Sequence, residues 1–272
     1  MAGFDEELRI ALEAVRDVGL RVMEIYETDY DIETKNDNSP LTKADRLSHE
    51  MLVSRLSSFT YNIISEEADD VLGKDKSDGN TGTQWVIDPL DGTSDFIQKT
   101  GEFSIMVALL KEGRPVLGVV YAPAVDKLWY GVEGKGAFAV ESGVERKIFV
   151  SPIKDLEDYR LVISRNHFRQ KDKDVADSLG ITEFKKMGSV GIKFCRIAEG
   201  LAELCVYTTG KMGVWDDCAS HIILKEAGGD VFDVNGCEPI YDLKSRKMEN
   251  GFIGTNGKNR ERIIESIRKS LD

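Results

Sequence analysis

Cysteine, histidine and proline are scarce in this chain of 272 residues, at four, three and six respectively. Cys195, Cys205, Cys218 and Cys237 form no C-x-x-C pair, and the first three fall inside apolar-periodic segments. They read as reduced core thiols of a cytoplasmic protein, not as a zinc site or a disulfide frame. So few prolines, with 25 glycines in no G-x-y period, exclude collagen and Pro-rich linkers. Basic charge is the minority, with 36 Lys and Arg against 48 Asp and Glu and a net charge of -12. That balance withholds the positive footprint that a nucleic-acid polymer requires. The longest apolar run, at 103–110, falls well short of the roughly 20 residues of a membrane span. The first seven residues are acidic, so no signal peptide is expected there. G-x-G-x-x-G, G-x-x-x-x-G-K-[ST] and G-x-S-x-G are all absent, which removes the dinucleotide, P-loop and serine-hydrolase readings.

What is present suffices for a sizeable core: 41% apolar residues beside 31% charged ones. Leu8, Ala11, Leu12, Val15, Val18, Val22 and Tyr26 recur at helical spacing. After a polar stretch at 35–40, Thr42 reads as the N-cap of a second helix with Leu47, Met51 and Leu52 inward. Short strands are expected at 61–65 and 84–88, separated by a polar loop at 74–83. A meander of strands follows at 104–110, 116–121, 128–132 and 137–140. Beyond residue 150 strands alternate with helices: strands at 161–164, 202–207 and 231–234, helices at 190–199, 214–227 and 259–271. The expected class is α+β to α/β. A largely antiparallel N-terminal part, 1–150, meets a smaller α/β part, 151–272, with a seam near Ser151-Pro152 and a shared cleft.

The sharpest local feature is Asp88-Pro89-Leu90-Asp91-Gly92-Thr93. A strand delivers Asp88, and Pro89 is expected to turn the chain. Asp91 and the Leu90 carbonyl can then face the same point. Two carboxylates and a carbonyl make a hard-oxygen set suited to Mg²⁺. Gly92 admits an anion close to the backbone, Thr93 adds a hydroxyl, and a helix starting near 94 favours a phosphate. The plain alternative is a strand-end turn with solvated aspartates. Glu66 ends the preceding strand and reaches the same metals if the two strands are adjacent. Glu67 reads as its solvated neighbour. Asp216, in Trp215-Asp216-Asp217 at the start of the 214–227 helix, is either a cap or a ligand. Asp45 has the same ambiguity, because Thr42-x-x-Asp45 is close to a capping box. His49 and His221 read as packing residues, whereas His167 follows a strand end.

With 63–67 (IISEE), 85–93 (WVIDPLDGT) and 214–217 (VWDD), the chain resembles the lithium-sensitive, Mg²⁺-dependent phosphatase superfamily that includes the inositol monophosphatases. Within it the chain is most similar to the 3′(2′),5′-bisphosphate nucleotidases, through 35–45, 101–110, 118–123, 161–167, 188–200 and 221–229. The resemblance implies a layered αβαβα sugar-phosphatase-type fold. It implies one Mg²⁺ on Glu66, Asp88 and the Leu90 carbonyl, and a second on Asp88, Asp91 and Asp216. A third, looser ion falls near Glu66 and Asp45. It also implies that Gly92 and Thr93, bordered by Asp91 and Asp216, cradle the scissile phosphate. Thr93, with Asp45 or Glu66, orients the attacking water. His167, Ser189 and Lys193 surround the nucleoside and its other phosphate. The chain departs from the family pattern at Asn166, at Val190-Gly191 and at 209–213, away from the acidic motifs.

The implied reaction is direct hydrolysis of a phosphomonoester by a metal-activated water, with no covalent phosphoenzyme. The implied substrate is adenosine 3′,5′-bisphosphate. Inositol 1-phosphate or fructose 1,6-bisphosphate on the same fold, and a non-enzymatic sensor of a phosphorylated ligand, are the alternatives. The expected partner is a small phosphorylated substrate, with neither a nucleic-acid polymer nor a membrane, and the expected state is a monomer or homodimer.

Overall fold

The computed structural model describes residues 3–28, 32–34, 40–68, 71–72, 82–208 and 212–271. The polar stretch at 35–39, most of the loop expected at 74–83, and 209–211 lie outside them.

The first half builds a seven-stranded sheet. Helix α1 (Asp5–Tyr26) precedes a small antiparallel ribbon of β1 (Ile32–Thr34) and β2 (Pro40–Thr42), which leads into α2 (Lys43–Leu56). The sheet then runs in chain order through β3 (Asn62–Ser65), β4 (Thr83–Asp91), β5 (Ser104–Lys111), β6 (Arg114–Ala122), β7 (Lys127–Val132), β8 (Gly136–Glu141) and β9 (Val144–Ile148). Only β3 and β4 are parallel; the other neighbours are antiparallel and joined by short connections, apart from the β4–β5 link, which holds helix α3 (Thr93–Ile97). Both faces of the sheet are covered, which is why β5 reads as an unbroken apolar run instead of alternating. Ile105, Val107 and Leu109 face α1 and α2, while Met106, Ala108 and Leu110 face the other way.

The second half forms a mixed five-stranded sheet from β10 (Arg160–Ser164), β11 (Glu183–Met187), β12 (Leu204–Tyr207), β14 (Asp230–Phe232) and β16 (Phe252–Thr255). Their spatial order is β11-β10-β12-β16-β14. β13 (Met212–Gly213) and β15 (Lys247–Met248) pair as a separate ribbon. Helices α5 (Val190–Ala198) and α6 (Cys218–Glu226) lie between the two sheets in one shared core. Helices α4 (Gln170–Ser178) and α7 (Arg260–Leu271) cover the far face, with Val175, Ala176, Ile263 and Ile267 against Leu161, Ile163, Val206 and Ile253. The layers therefore run helices, seven-stranded sheet, helices, five-stranded sheet, helices.

Several expectations need correction. Pro89 does not turn the chain: β4 runs on to Asp91, and the register to β5 slips between Asp88 and Asp91. A bulge is where a strand tolerates a residue with no N–H. The helix expected at 214–227 starts only at Cys218, because 214–217 form a turn. On α2 the inward side chains are Ala44, Asp45, Ser48, Leu52 and Leu56, with Leu47 and Met51 half-buried. Strands β9, β11 and β16 and helix α4 were absent from the sequence pattern. β9 and β11 are edge strands with four exposed residues each, so they carry no apolar alternation.

Candidate metal centre

Parallel pairing of β3 with β4 sets Ser65 against Ile87, so Glu66, the first residue past β3, comes to lie beside Asp88, which stays within β4. The Glu66 N–H donates to the Ile87 carbonyl (3.3 Å), and the two side chains share a hydrogen bond. Below this turn, the His49 imidazole meets the Ser65 hydroxyl at 2.8 Å. The bulge then brings Asp91 back to the same point. One carboxylate oxygen from each of Asp88, Asp91 and Asp216 lies within 4.8 Å of the others. Asp216 arrives from the turn before α6, where its Oδ2 accepts from the Gly213 N–H at 2.6 Å. It is therefore not a helix cap. Trp215 lies over Gly213, so close that a β-carbon there would overlap the indole, and this orients the turn.

Four carboxyl groups come together here, Asp88 and Asp91 buried at 1% and 7% exposure and Glu66 and Asp216 half-buried. Burial first, and then repulsion from Glu66, Asp91 and Asp216, pushes the Asp88 pKa well above the usual carboxylate value. Asp216 is raised for the same reasons, by burial and by Glu66 and Asp91. A set of hard oxygen donors held this close is what a divalent cation matches. The Leu90 carbonyl, one residue before Asp91, accepts from the Thr93 hydroxyl at 3.1 Å, and the same hydroxyl lies 2.9 Å from Asp45 Oδ1. Glu66, Asp88, the Leu90 carbonyl, Asp91 and Asp216 thus fit as the groups to hold metal.

Asp45 closes the capping box and also reaches Thr93. Its Oδ2 accepts from the Thr42 N–H (2.7 Å) and hydroxyl (2.6 Å), closing a capping box, while its Oδ1 takes the Thr93 hydroxyl. Gly92, at φ +93°, starts α3 in the left-handed region, and a β-carbon there would stand 3.1 Å from the Glu102 carbonyl. The first intrahelical donors are Asp95 and Phe96, both to the Gly92 carbonyl.

Three further expected residues lie beside the cluster or past it. Ser189 is fully buried as the N-cap of α5, and its hydroxyl bonds Asp91 and Ser104 in place of open space. Lys193 was expected on a helix face or at a substrate phosphate. It is wholly buried, with its ammonium on the carbonyls of Met187, Gly188 and Ser189, and burial pulls its pKa down. Ser189 thus braces Asp91, while Lys193 ties down the chain leading into α5. His167 is exposed just past β10, beside Arg165 and Asn166. Sequence reasoning missed Ser104, the Gly191 N–H on Asp91 (2.9 Å), and the buried Asp95 that Arg165, Asn166 and Thr100 hold. Asp95 lies two residues past Thr93 in the same short helix, which was the available signal.

A profile of the inositol monophosphatase family matches residues 4–272. The chain is 34% identical, over 239 residues, to the 3′(2′),5′-bisphosphate nucleotidase CysQ of Escherichia coli K12, spanning 87% of this chain and 94% of that one. Among solved structures, the Thermotoga maritima IMPase superposes with a TM-score of 0.82 at 27% identity, covering 98% of each chain. CysQ from Bacteroides thetaiotaomicron superposes with a TM-score of 0.77 at 29% identity, covering 93% of this chain and 98% of that one.

Proposed function

The chain belongs to the inositol monophosphatase family of metal-dependent phosphatases, and from that premise we propose that it removes the 3′-phosphate of adenosine 3′,5′-bisphosphate, using Mg²⁺. The convergence of Glu66, Asp88, Asp91 and Asp216 carries the phosphatase reading. The nucleotidase reading rests on near full-length similarity to a curated 3′(2′),5′-bisphosphate nucleotidase. The strand end past the site adds support. Arg169 and Lys186 stand near there, and Lys186 lies over the Phe168 ring. A second phosphate and a base need those features. Three free buried thiols accord with a cytoplasmic setting.

When bound, two divalent ions supply the positive charge for an in-line displacement and lower the pKa of a water. Glu66, Asp88 and the Leu90 carbonyl would hold one, and Asp88, Asp91 and Asp216 would hold the other. Gly92 and the start of α3 present backbone N–H groups to the phosphoryl oxygens. The Thr93 hydroxyl donates a hydrogen bond to Asp45 Oδ1, which leaves its oxygen lone pairs to accept from the attacking water and aim it. Asp45, held by the capping box, cannot swing away from that task. Ser104, Ser189 and the Gly191 N–H fix Asp91 in one orientation.

The test is a panel of esters with and without Mg²⁺. Adenosine 3′,5′-bisphosphate is expected to turn over fastest, and chelation to abolish turnover. Faster hydrolysis of inositol 1-phosphate or fructose 1,6-bisphosphate would overturn the substrate. Binding without any turnover would overturn the enzyme reading in favour of a sensor.

A further inference from the structure

We infer that Arg246 is a positioning residue of the metal centre, clasping the turn that carries Glu66 to the turn that carries Asp216. This rests on the reading of the acidic cluster as a metal site. The Arg246 guanidinium donates from Nη1 to the carbonyl of Ala68 at 2.7 Å, two residues past Glu66. The carbonyl of Arg246 itself accepts from the N–H of Val214 at 3.0 Å, two residues before Asp216. The ribbon of β13 and β15 extends this second contact, pairing Gly213 with Lys247 and Met212 with Met248. Gly213 in turn donates to Asp216. One residue thus touches both ligand-bearing turns. Those turns come from opposite halves of the chain: Glu66 leaves the seven-stranded sheet, and Asp216 precedes the helix between the sheets.

The backbone argues that the side chain is what matters. Arg246 has φ +56°, in the left-handed region where a β-carbon is disfavoured and glycine is at ease. The turn is closed locally by the Arg246 N–H on the Asp242 carbonyl (2.9 Å), a bond that glycine would keep. A residue serving only the turn would be better as glycine. An arginine there holds a strained conformation and reaches across to Ala68. With the Glu66 turn released, Glu66 must be ordered when the ion binds, which weakens binding while leaving the sheets untouched.

The experiment uses the full-length, metal-free protein and Mg²⁺ as probe. Calorimetric titration is expected to show Arg246→Gly binding Mg²⁺ roughly 10- to 100-fold more weakly than wild type. Its metal-free thermal midpoint should be unchanged or higher, since backbone strain is relieved. Arg246→Lys should recover much of the affinity, because an ammonium can still donate to the Ala68 carbonyl. Hydrogen exchange should speed up at 66–68 in Arg246→Gly before any metal is added. Wild-type affinity and exchange in Arg246→Gly would overturn the clasp, as would a fall in thermal midpoint with affinity intact. If Arg246→Gly does not unfold cooperatively, Arg246→Met removes the donor and keeps the apolar stem, and the same two readouts decide. Wild-type protein that binds no Mg²⁺, or Asp88→Asn that binds it normally, would instead overturn the metal-site reading.

Discussion

At the scale of single residues, the acidic centre trades stability for a cation. Asp88 is buried with three like charges around it, and its pKa is raised. A carboxyl whose folded pKa exceeds its unfolded value binds more protons in the fold, so its contribution to stability is present at low pH. That contribution is lost as pH rises from the ordinary carboxylate value through the folded one. In metal-free protein, Asp88→Asn should therefore raise the thermal midpoint at pH 7 by a few degrees, and the gain should shrink toward pH 4. The same variant should lose Mg²⁺ binding, and activity by at least about 100-fold, because even groups outside the ligand set cost 10–100-fold. Calorimetric scans at both pH values and an ester assay check this. Wild-type activity in Asp88→Asn would contradict the site. The four acids stood out in the sequence because they fall in short acidic motifs, Glu66 just past a strand, Asp88 and Asp91 three residues apart, and Asp216 next to a tryptophan. Lys193 did not, since a lysine on a helix reads as solvated until packing shows it beneath two sheets.

At the scale of elements, the position of Asp216 depends on how closely α6 approaches the seven-stranded sheet. Gly118 on β6 and Gly131 on β7 stand directly opposite each other in the register. A β-carbon on Gly118 would lie 2.1 Å from the Ala219 carbonyl, and one on Gly131 would lie 2.8 Å from Ile223 Cα. This glycine pair is the seat of α6. Gly118→Ala should push the helix outward and destabilise by about 1–3 kcal/mol, as overpacking does. It should also raise the Mg²⁺ concentration for half-maximal activity, because the Asp216 turn travels with the helix. Thermal unfolding and a metal titration check both effects, and an unchanged metal requirement would separate α6 from the site. The meander was legible from turn glycines and apolar runs. The glycine seat was not, because a glycine within a strand does not say which helix lies above it. Nor were edge strands β9 and β11, whose exposed faces offer no alternation.

At the scale of the whole molecule, one core joins the two sheets. Met106, Ala108 and Val120 of the first, Val162, Cys205 and Phe252 of the second, and Phe194, Ile197 and Ile223 between them belong to a single buried cluster. The acidic cluster gathers at one end of it, with Glu66, Asp88 and Asp91 supplied by the seven-stranded sheet and Asp216 by the turn before α6. Among the described residues no helix is long and apolar enough to cross a membrane. Thermal unfolding should be one transition. At one hundred times its dissociation constant, Mg²⁺ should raise that transition by about 2.7 kcal/mol, roughly 5–10 °C, and chelation should reverse it. Two separated transitions, only one of them shifted by metal, would show that the halves unfold independently.

Alone, the order of residues determined which chemistry was available. Carboxylates at junctions between elements, a glycine where an anion must come close, and a threonine beside them are local facts, written in short stretches of chain. Tertiary structure alone decided which of those groups meet. Parallel pairing placed Glu66 beside Asp88, a glycine pair let α6 bring Asp216 to them, and burial turned Ser189 and Lys193 inward. The physical reason is that burial and proximity are properties of packing between segments distant in sequence, and no local pattern encodes the distance between them.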